Sequence, residues 1–160
     1  MKILSRNPKE TINFGRRLAK YLKSSDIICL FGRFGSGKTI LAKGIAEGLG
    51  FKKNEIISPS FVFIKEYRKR KFNLYHFDLY RLKGLEELLN LGYFEYLYSD
   101  AVSVIEWADK MKDLLPENYL EIKLSIKDEN TRSIKLSAHG ERYKELIKEL
   151  VKLGELGKVR

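Results

Sequence analysis

Apolar positions along the chain fall into two rhythms, short unbroken runs of strand length and longer stretches at helical spacing. Lys2 to Ser5 reads as a short first strand, and Phe14, Leu18, Tyr21 and Leu22 then recur along one face of a helix. The start of that helix is written in Asn7-Pro8-Lys9-Glu10: Asn7 as the cap, Pro8 at the first helical position, where its missing N–H is not needed, and Glu10 to close a capping box. Ser24-Ser25-Asp26 breaks it. Ile27 to Phe31 is apolar throughout, the pattern of a strand buried on both faces as in a parallel sheet. A glycine-rich turn follows, then a helix through Ile40, Leu41, Ile45 and Leu49, which Gly50 is placed to end.

Two strand-like segments come next, Phe61 to Tyr67 and Phe72 to Phe77, joined by Arg68-Lys69-Arg70-Lys71 as an exposed hairpin turn. The pattern turns helical around Leu85 to Leu91 and Tyr93 to Tyr98. Ala101 to Ile105 is another short apolar strand, ending at Glu106-Trp107. Tyr119 to Ile126 and Thr131 to Leu136 form a second hairpin around Asp128-Glu129-Asn130, and an amphipathic helix with Tyr143, Ile147, Leu150 and Val151 on one side closes the chain. With no internal repeat and no low-complexity linker, the expectation is one α/β domain over residues 1–160: a mostly parallel central sheet flanked by helices, with antiparallel hairpins added to it.

Composition changes this picture little. A hydrophobic share of 44% supports a real core and argues against global disorder. The formal charge of +10 favours polyanionic partners (nucleotide, RNA or an acidic protein surface), although no single dense basic block dominates. The one cysteine, Cys29, lies within the apolar run and excludes an intrachain disulfide or a cysteine metal cluster. Met1 to Pro8 holds no apolar stretch of signal-peptide length, and no run approaches the roughly 20 apolar residues that span a bilayer, so a reducing cytoplasm without membrane contact is expected.

The glycine-rich turn carries the strongest chemistry. Gly32-Arg33-Phe34-Gly35-Ser36-Gly37-Lys38-Thr39 fits G-x-x-x-x-G-K-[ST] without a mismatch, between a buried-strand pattern and a helix. The glycines let backbone approach a phosphate chain without a Cβ clash, and the loop N–H groups and helix N-terminus attract the anion. Lys38 has the length and charge to reach β- and γ-phosphate oxygens of ATP, and the Thr39 hydroxyl is a ligand for Mg²⁺. Glu106 closes an apolar strand at the sheet edge where ligands of open α/β sheets gather, a candidate to contact Mg²⁺ through water or to polarise an attacking water; a surface glutamate at a strand end is the plainer alternative. Asp78 fits either a second acidic site residue or a cap of the segment that follows, and His76 reads equally as a satisfied core histidine.

Several segments together resemble one family. The P-loop, Ser58-Pro59-Ser60-Phe61, His76-Phe77-Asp78-Leu79-Tyr80-Arg81-Leu82, Leu91-Gly92 with Tyr96-Leu97, and Val104-Ile105-Glu106-Trp107 look, in order and spacing, like the TsaE family (formerly YjeE) of bacterial tRNA threonylcarbamoyladenosine synthesis. The resemblance runs from about residue 8 to 126. It implies an Mg²⁺-dependent ATPase that supports a threonylcarbamoyl-transfer complex of TsaD- and TsaB-type proteins, which modifies the adenosine beside the anticodon of tRNAs reading codons that start with A. By similarity, the loop from Gly32 to Thr39 holds ATP, Thr39 and Glu106 serve the metal, Asp78 lies near metal and water, Ser60 belongs to a switch that senses the γ-phosphate, and Trp107 sits beside the nucleotide.

Three departures from the family pattern stand out. Arg33 follows the first loop glycine where Asp is usual, so any metal or base role of that acid does not carry over; Ser60 replaces Thr and keeps the hydroxyl; Ala108-Asp109 replaces Pro-Glu after Trp107. Slow hydrolysis by the isolated chain is expected, with Arg33 and Arg81 the arginines at hand and a partner-supplied group the alternative. Two other classes remain: a small-molecule or nucleoside kinase using Asp78 or Glu106 as base, and a non-catalytic nucleotide-dependent RNA or protein binder. Direct contact with tRNA, through Lys52-Lys53 or Arg68 to Lys71, is compatible with the charge, as is a plain solvated turn at each.

Overall fold

The computed structural model describes residues 1–57 and 62–152. Seven strands, β1 (Lys2–Ser5), β2 (Ile27–Phe31), β3 (Ile64–Arg68), β4 (Asn73–Asp78), β5 (Val102–Glu106), β6 (Tyr119–Ile126) and β7 (Arg132–His139), form one sheet in the order β1-β7-β6-β2-β5-β4-β3. The four middle strands β6, β2, β5 and β4 run parallel, while β3, β7 and β1 are added antiparallel at the two sides. This is the mixed architecture that the apolar runs and turn signals predict. The expected first hairpin is shorter than its sequence suggests, because Phe63 takes a left-handed φ of 59° just before β3, and Phe61 lies outside the described residues.

One sheet face carries α1 (Pro8–Ala19), α2 (Lys38–Gly48) and α5 (Glu141–Lys152) over Ile28, Leu30, Val104, Leu120, Ile122, Ile134 and Leu136. The other carries α3 (Leu85–Asn90), α4 (Tyr93–Leu97) and a 3₁₀ segment (Ala108–Leu114) over Ile27, Cys29, Phe77 and Ile105. The 3₁₀ segment is absent from the sequence reading; its weak apolar periodicity and a kink at Lys112 (φ 48°) hide it from a search for helical spacing. Burial beside Glu121 pushes the Cys29 thiol well above its ordinary value, with burial the larger cause, so it is an inert core group.

The local signals around α1 and α2 are realised with one variation. Asn7 Oδ1 accepts from the Glu10 N–H at 2.9 Å, but the Glu10 carboxylate takes the N–H of Arg6, one residue before the cap. Gly50 (φ 97°) ends α2 in a Schellman motif, its N–H on the Glu47 carbonyl and that of Phe51 on Ala46. At the other end of the chain, α5 ties down the approach to β2: Arg142 forks onto both oxygens of buried Asp26, and the Ile27 N–H donates to the Tyr143 hydroxyl at 2.7 Å. Burial raises that phenol to about 12, so it stays protonated across the physiological range.

Helices α1 and α2 meet along a seam of glycines. A Cβ on Gly15 would lie 2.8 Å from the Leu41 carbonyl oxygen, and one on Gly48 would lie 2.5 Å from Ala19 Cβ. A Cβ on Gly44 would overlap the Ile12 carbonyl oxygen, which is backbone and cannot swing aside. Gly44→Ala is therefore expected to push the helices apart and to destabilise the protein by about 1–3 kcal/mol, read from the midpoint of urea unfolding.

Candidate functional site

The Gly32–Thr39 loop leaves the carboxyl end of β2 in the middle of the sheet and runs into α2, whose N-terminus faces the ends of β5 and β4. Glycine is required at its base: Gly32 has φ 148°, and a Cβ there would lie 2.5 Å from the Leu124 carbonyl oxygen and 2.6 Å from Ser36 Oγ. Gly37 (φ 101°) makes the left-handed entry into α2. Arg132 of β7 reaches across to donate to the Gly35 carbonyl at 3.3 Å, bracing the loop tip.

A hollow of about 310 Å³ opens beside the loop. Its lining includes Phe34 to Thr39 from the loop, Asp78 and Tyr80 at the end of β4, and Glu106 and Trp107 at the end of β5. Parallel register sets Asp78 directly opposite Glu106. Glu106 is a buried carboxylate with a partner on each oxygen: the Thr39 hydroxyl donates to one at 2.7 Å, and the His76 Nε2 meets the other at 2.8 Å. The Asp78 carboxylate accepts the Tyr80 N–H at 3.0 Å, so its role as a local cap and its place in the hollow coexist.

Lys38 folds back over its own loop, where its ammonium donates to the carbonyls of Gly32 and Arg33 and lies 3.7 Å from the centroid of the Trp107 ring. Burial lowers its pKa from the ordinary lysine value, against the opposing pull of Glu106, then Asp109, then Asp78. Asp109, one of the departures after Trp107, thus contributes to the field at the lysine. Trp107 itself has a left-handed φ of 58° and packs on Tyr80 at 4.9 Å, with Phe34 beyond Tyr80 at 6.2 Å.

Most of the expected site residues converge here, but not all. Arg33 is exposed and lines a different hollow with Phe31, Lys123 and Ser125, so only its carbonyl faces the lysine. Arg81 does not line the phosphate-loop hollow. Ser58-Pro59-Ser60, with the Ser60 assigned to the nucleotide, lies outside the described residues. Two residues gain roles that sequence reading left unassigned. His76 is the second support of Glu106, legible only once β4 and β5 are known to be parallel neighbours. Tyr80 forms the aromatic wall, and its place just past a strand end was the available signal.

The donor set fits a magnesium nucleotide. Ser36 Oγ is buried in the loop without a hydrogen-bond partner, a polar atom that a phosphate oxygen would satisfy. Among the described residues there is no cluster of three or more His, Cys, Asp or Glu able to hold a cation alone. A hydroxyl and one or two carboxylates, completed by water and phosphate, are what Mg²⁺ takes.

Comparison with known proteins converges on one family. The profile of the family described as "Threonylcarbamoyl adenosine biosynthesis protein TsaE" matches residues 5–134. A protein from Bacillus subtilis described as "tRNA threonylcarbamoyladenosine biosynthesis protein TsaE" is 38% identical over 144 residues, covering 90% of this chain and 89% of the relative. A protein of the same description from Rickettsia prowazekii is 40% identical over 124 residues, 78% of this chain and 85% of the relative. The crystal structure of YdiB from Bacillus subtilis superposes with a TM-score of 0.80 at 35% identity, covering 96% of this chain and 95% of that one.

Replacing His76 tests the support of Glu106. His76→Phe leaves one buried carboxylate oxygen without a donor and is expected to cost about 1–3 kcal/mol in urea unfolding, while His76→Gln, which can donate, restores part of it.

Proposed function

The chain belongs to the TsaE family, and from that premise we propose that it binds ATP with Mg²⁺ and hydrolyses it to support tRNA threonylcarbamoyladenosine biosynthesis, acting with TsaD- and TsaB-type proteins. One observation carries the reading: the phosphate-loop motif, its lysine and hydroxyl, and two strand-end carboxylates line a single hollow.

In this reading the loop N–H groups and the α2 N-terminus hold the phosphates, and the Lys38 ammonium exchanges the Gly32 and Arg33 carbonyls for β- and γ-oxygens. Thr39 and Glu106 hold the metal, and Mg²⁺ when bound neutralises charge on the phosphate oxygens. Asp78, opposite Glu106, orients the attacking water and takes up its proton. Trp107 and Tyr80 form the aromatic wall of the hollow, beside the phosphate-binding groups. No arginine lines the hollow among the described residues, which supports slow turnover by the chain alone and completion of the site by a partner.

Two measurements test this. Calorimetry with MgATP is expected to give saturable binding that Lys38→Ala weakens about 10- to 100-fold, the loss of a charge-assisted contact; no heat from the unsubstituted chain would overturn the reading. ATP turnover is expected to rise when the TsaD- and TsaB-type proteins are added, by up to about 10³–10⁵ if they supply an arginine. Equal rates with and without them would refute partner completion, and a phosphorylated small-molecule acceptor would indicate a kinase instead.

A further inference from the structure

The two halves of the sheet are covered unequally. Strands β2, β5 and β4 carry helical segments on both faces, but β6, β7 and β1 are packed by helices on the face of Leu120, Ile122, Ile134 and Leu136. On their other face Lys2, Leu4, Lys123, Ser125 and Lys135 are exposed. Leu4 is 55% exposed on the edge strand, while on the same face Ser133, between Leu4 and Ser125, and Tyr119, at the far end of β6, are buried, so the exposed part is the lysine row and the end of β6 beside the loop.

Register gives that face a charge pattern. Lys2 pairs with Lys135, Lys135 with Lys123, and Lys123 with Phe31, so three lysines stand in one row across adjacent strands and lead to the start of the phosphate loop. At a strand spacing of about 4.8 Å the row spans roughly 10 Å. Like charges directly opposite one another destabilise a sheet. Glu121 is the one acid these strands place on this face; it lies 3.3 Å from Lys123 and 3.4 Å from His139, and neither Lys2 nor Lys135 has an acidic partner among the described residues. Where the row meets the loop, a hollow of about 490 Å³ is lined by Phe31, Arg33, Lys123 and Ser125. Arg33 adds its charge to this surface and does not line the hollow of Lys38 and Glu106.

We propose that the open face of β1, β7 and β6, ending in the Arg33 hollow, binds the phosphodiester backbone of RNA. A regular row of ammonium groups, two of them (Lys2 and Lys135) without an acidic partner among the described residues and the third sharing Glu121 with His139, complements a chain of phosphates. A protein partner fits less well, because lysine is depleted where protein surfaces bury one another. The inference goes beyond the function proposed above and requires neither nucleotide nor hydrolysis. It also gives RNA a physical route to the ATP site, since Gly32 and Arg33 at the end of this face carry the carbonyls that hold Lys38.

The test is a fluorescence-anisotropy titration of a labelled, unmodified tRNA transcript with the full chain, without nucleotide, at several salt concentrations. Lys123→Glu with Lys135→Glu is expected to lower affinity tenfold or more. Combining Lys2→Ala, Lys123→Ala and Lys135→Ala is expected to reduce the slope of log affinity against log salt by roughly two to three. Lys53→Glu with Arg70→Glu, the same charge change elsewhere, should alter affinity less than about twofold. MgATP binding by each variant reports an intact fold; its absence from the unsubstituted chain counts against the ATP reading and leaves this one standing. Equal losses in the row and control variants, or no salt-dependent RNA binding at all, would overturn the proposal. So would row variants that keep RNA but lose stimulation by the TsaD- and TsaB-type proteins, which would assign the face to an acidic protein.

Discussion

A carboxylate taken out of water must find a partner for each of its oxygens, and the burial of Glu106 at the end of β5 imposes that condition on everything around it. Its two partners come from distant parts of the chain, Thr39 on α2 and His76 on β4. They meet only if β4 and β5 run parallel and in the observed register, and only if α2 lies close to the same sheet face. The glycine seam between α1 and α2 lets the two helices pack closely on that face. The pairing that stabilises the buried acid therefore also sets the Thr39 hydroxyl, the second carboxylate Asp78 and the glycine-rich loop around one hollow.

The loop separates two surfaces of opposite character. On one side is a hollow with carboxylates, a lysine whose pKa is lowered by burial, and an aromatic wall. On the other is an open sheet face with a row of exposed lysines. Gly32 stands between them, with no room for a side chain against Leu124 and Ser36, so backbone alone forms the partition. A change on either side is felt through the same few peptide groups.

The aromatic wall and the left-handed Trp107 belong to the same logic. A tryptophan at φ 58° is uncommon and costs conformational energy, and it is retained here by packing on Tyr80 and by the ammonium above its ring. The strain is local to the point where β5 gives way to the 3₁₀ segment, and it turns the indole toward the lysine.

Strand and helix placement was legible in the sequence because each depends on neighbours in the chain: an apolar run of five residues, a proline after a capping asparagine, a glycine after the last helical turn. The phosphate loop was legible for the same reason, since its eight positions are contiguous and each has its own steric or charge requirement. What the sequence left open were relations between strands. Whether Asp78 capped a turn or lined a site, whether His76 was inert, and where Arg33 pointed all depended on which strands lie side by side and in what register. Those are contacts between residues tens of positions apart, and no local propensity encodes them. Only the closing of one sheet around a buried carboxylate, which shifts every side chain to one face or the other, decided them.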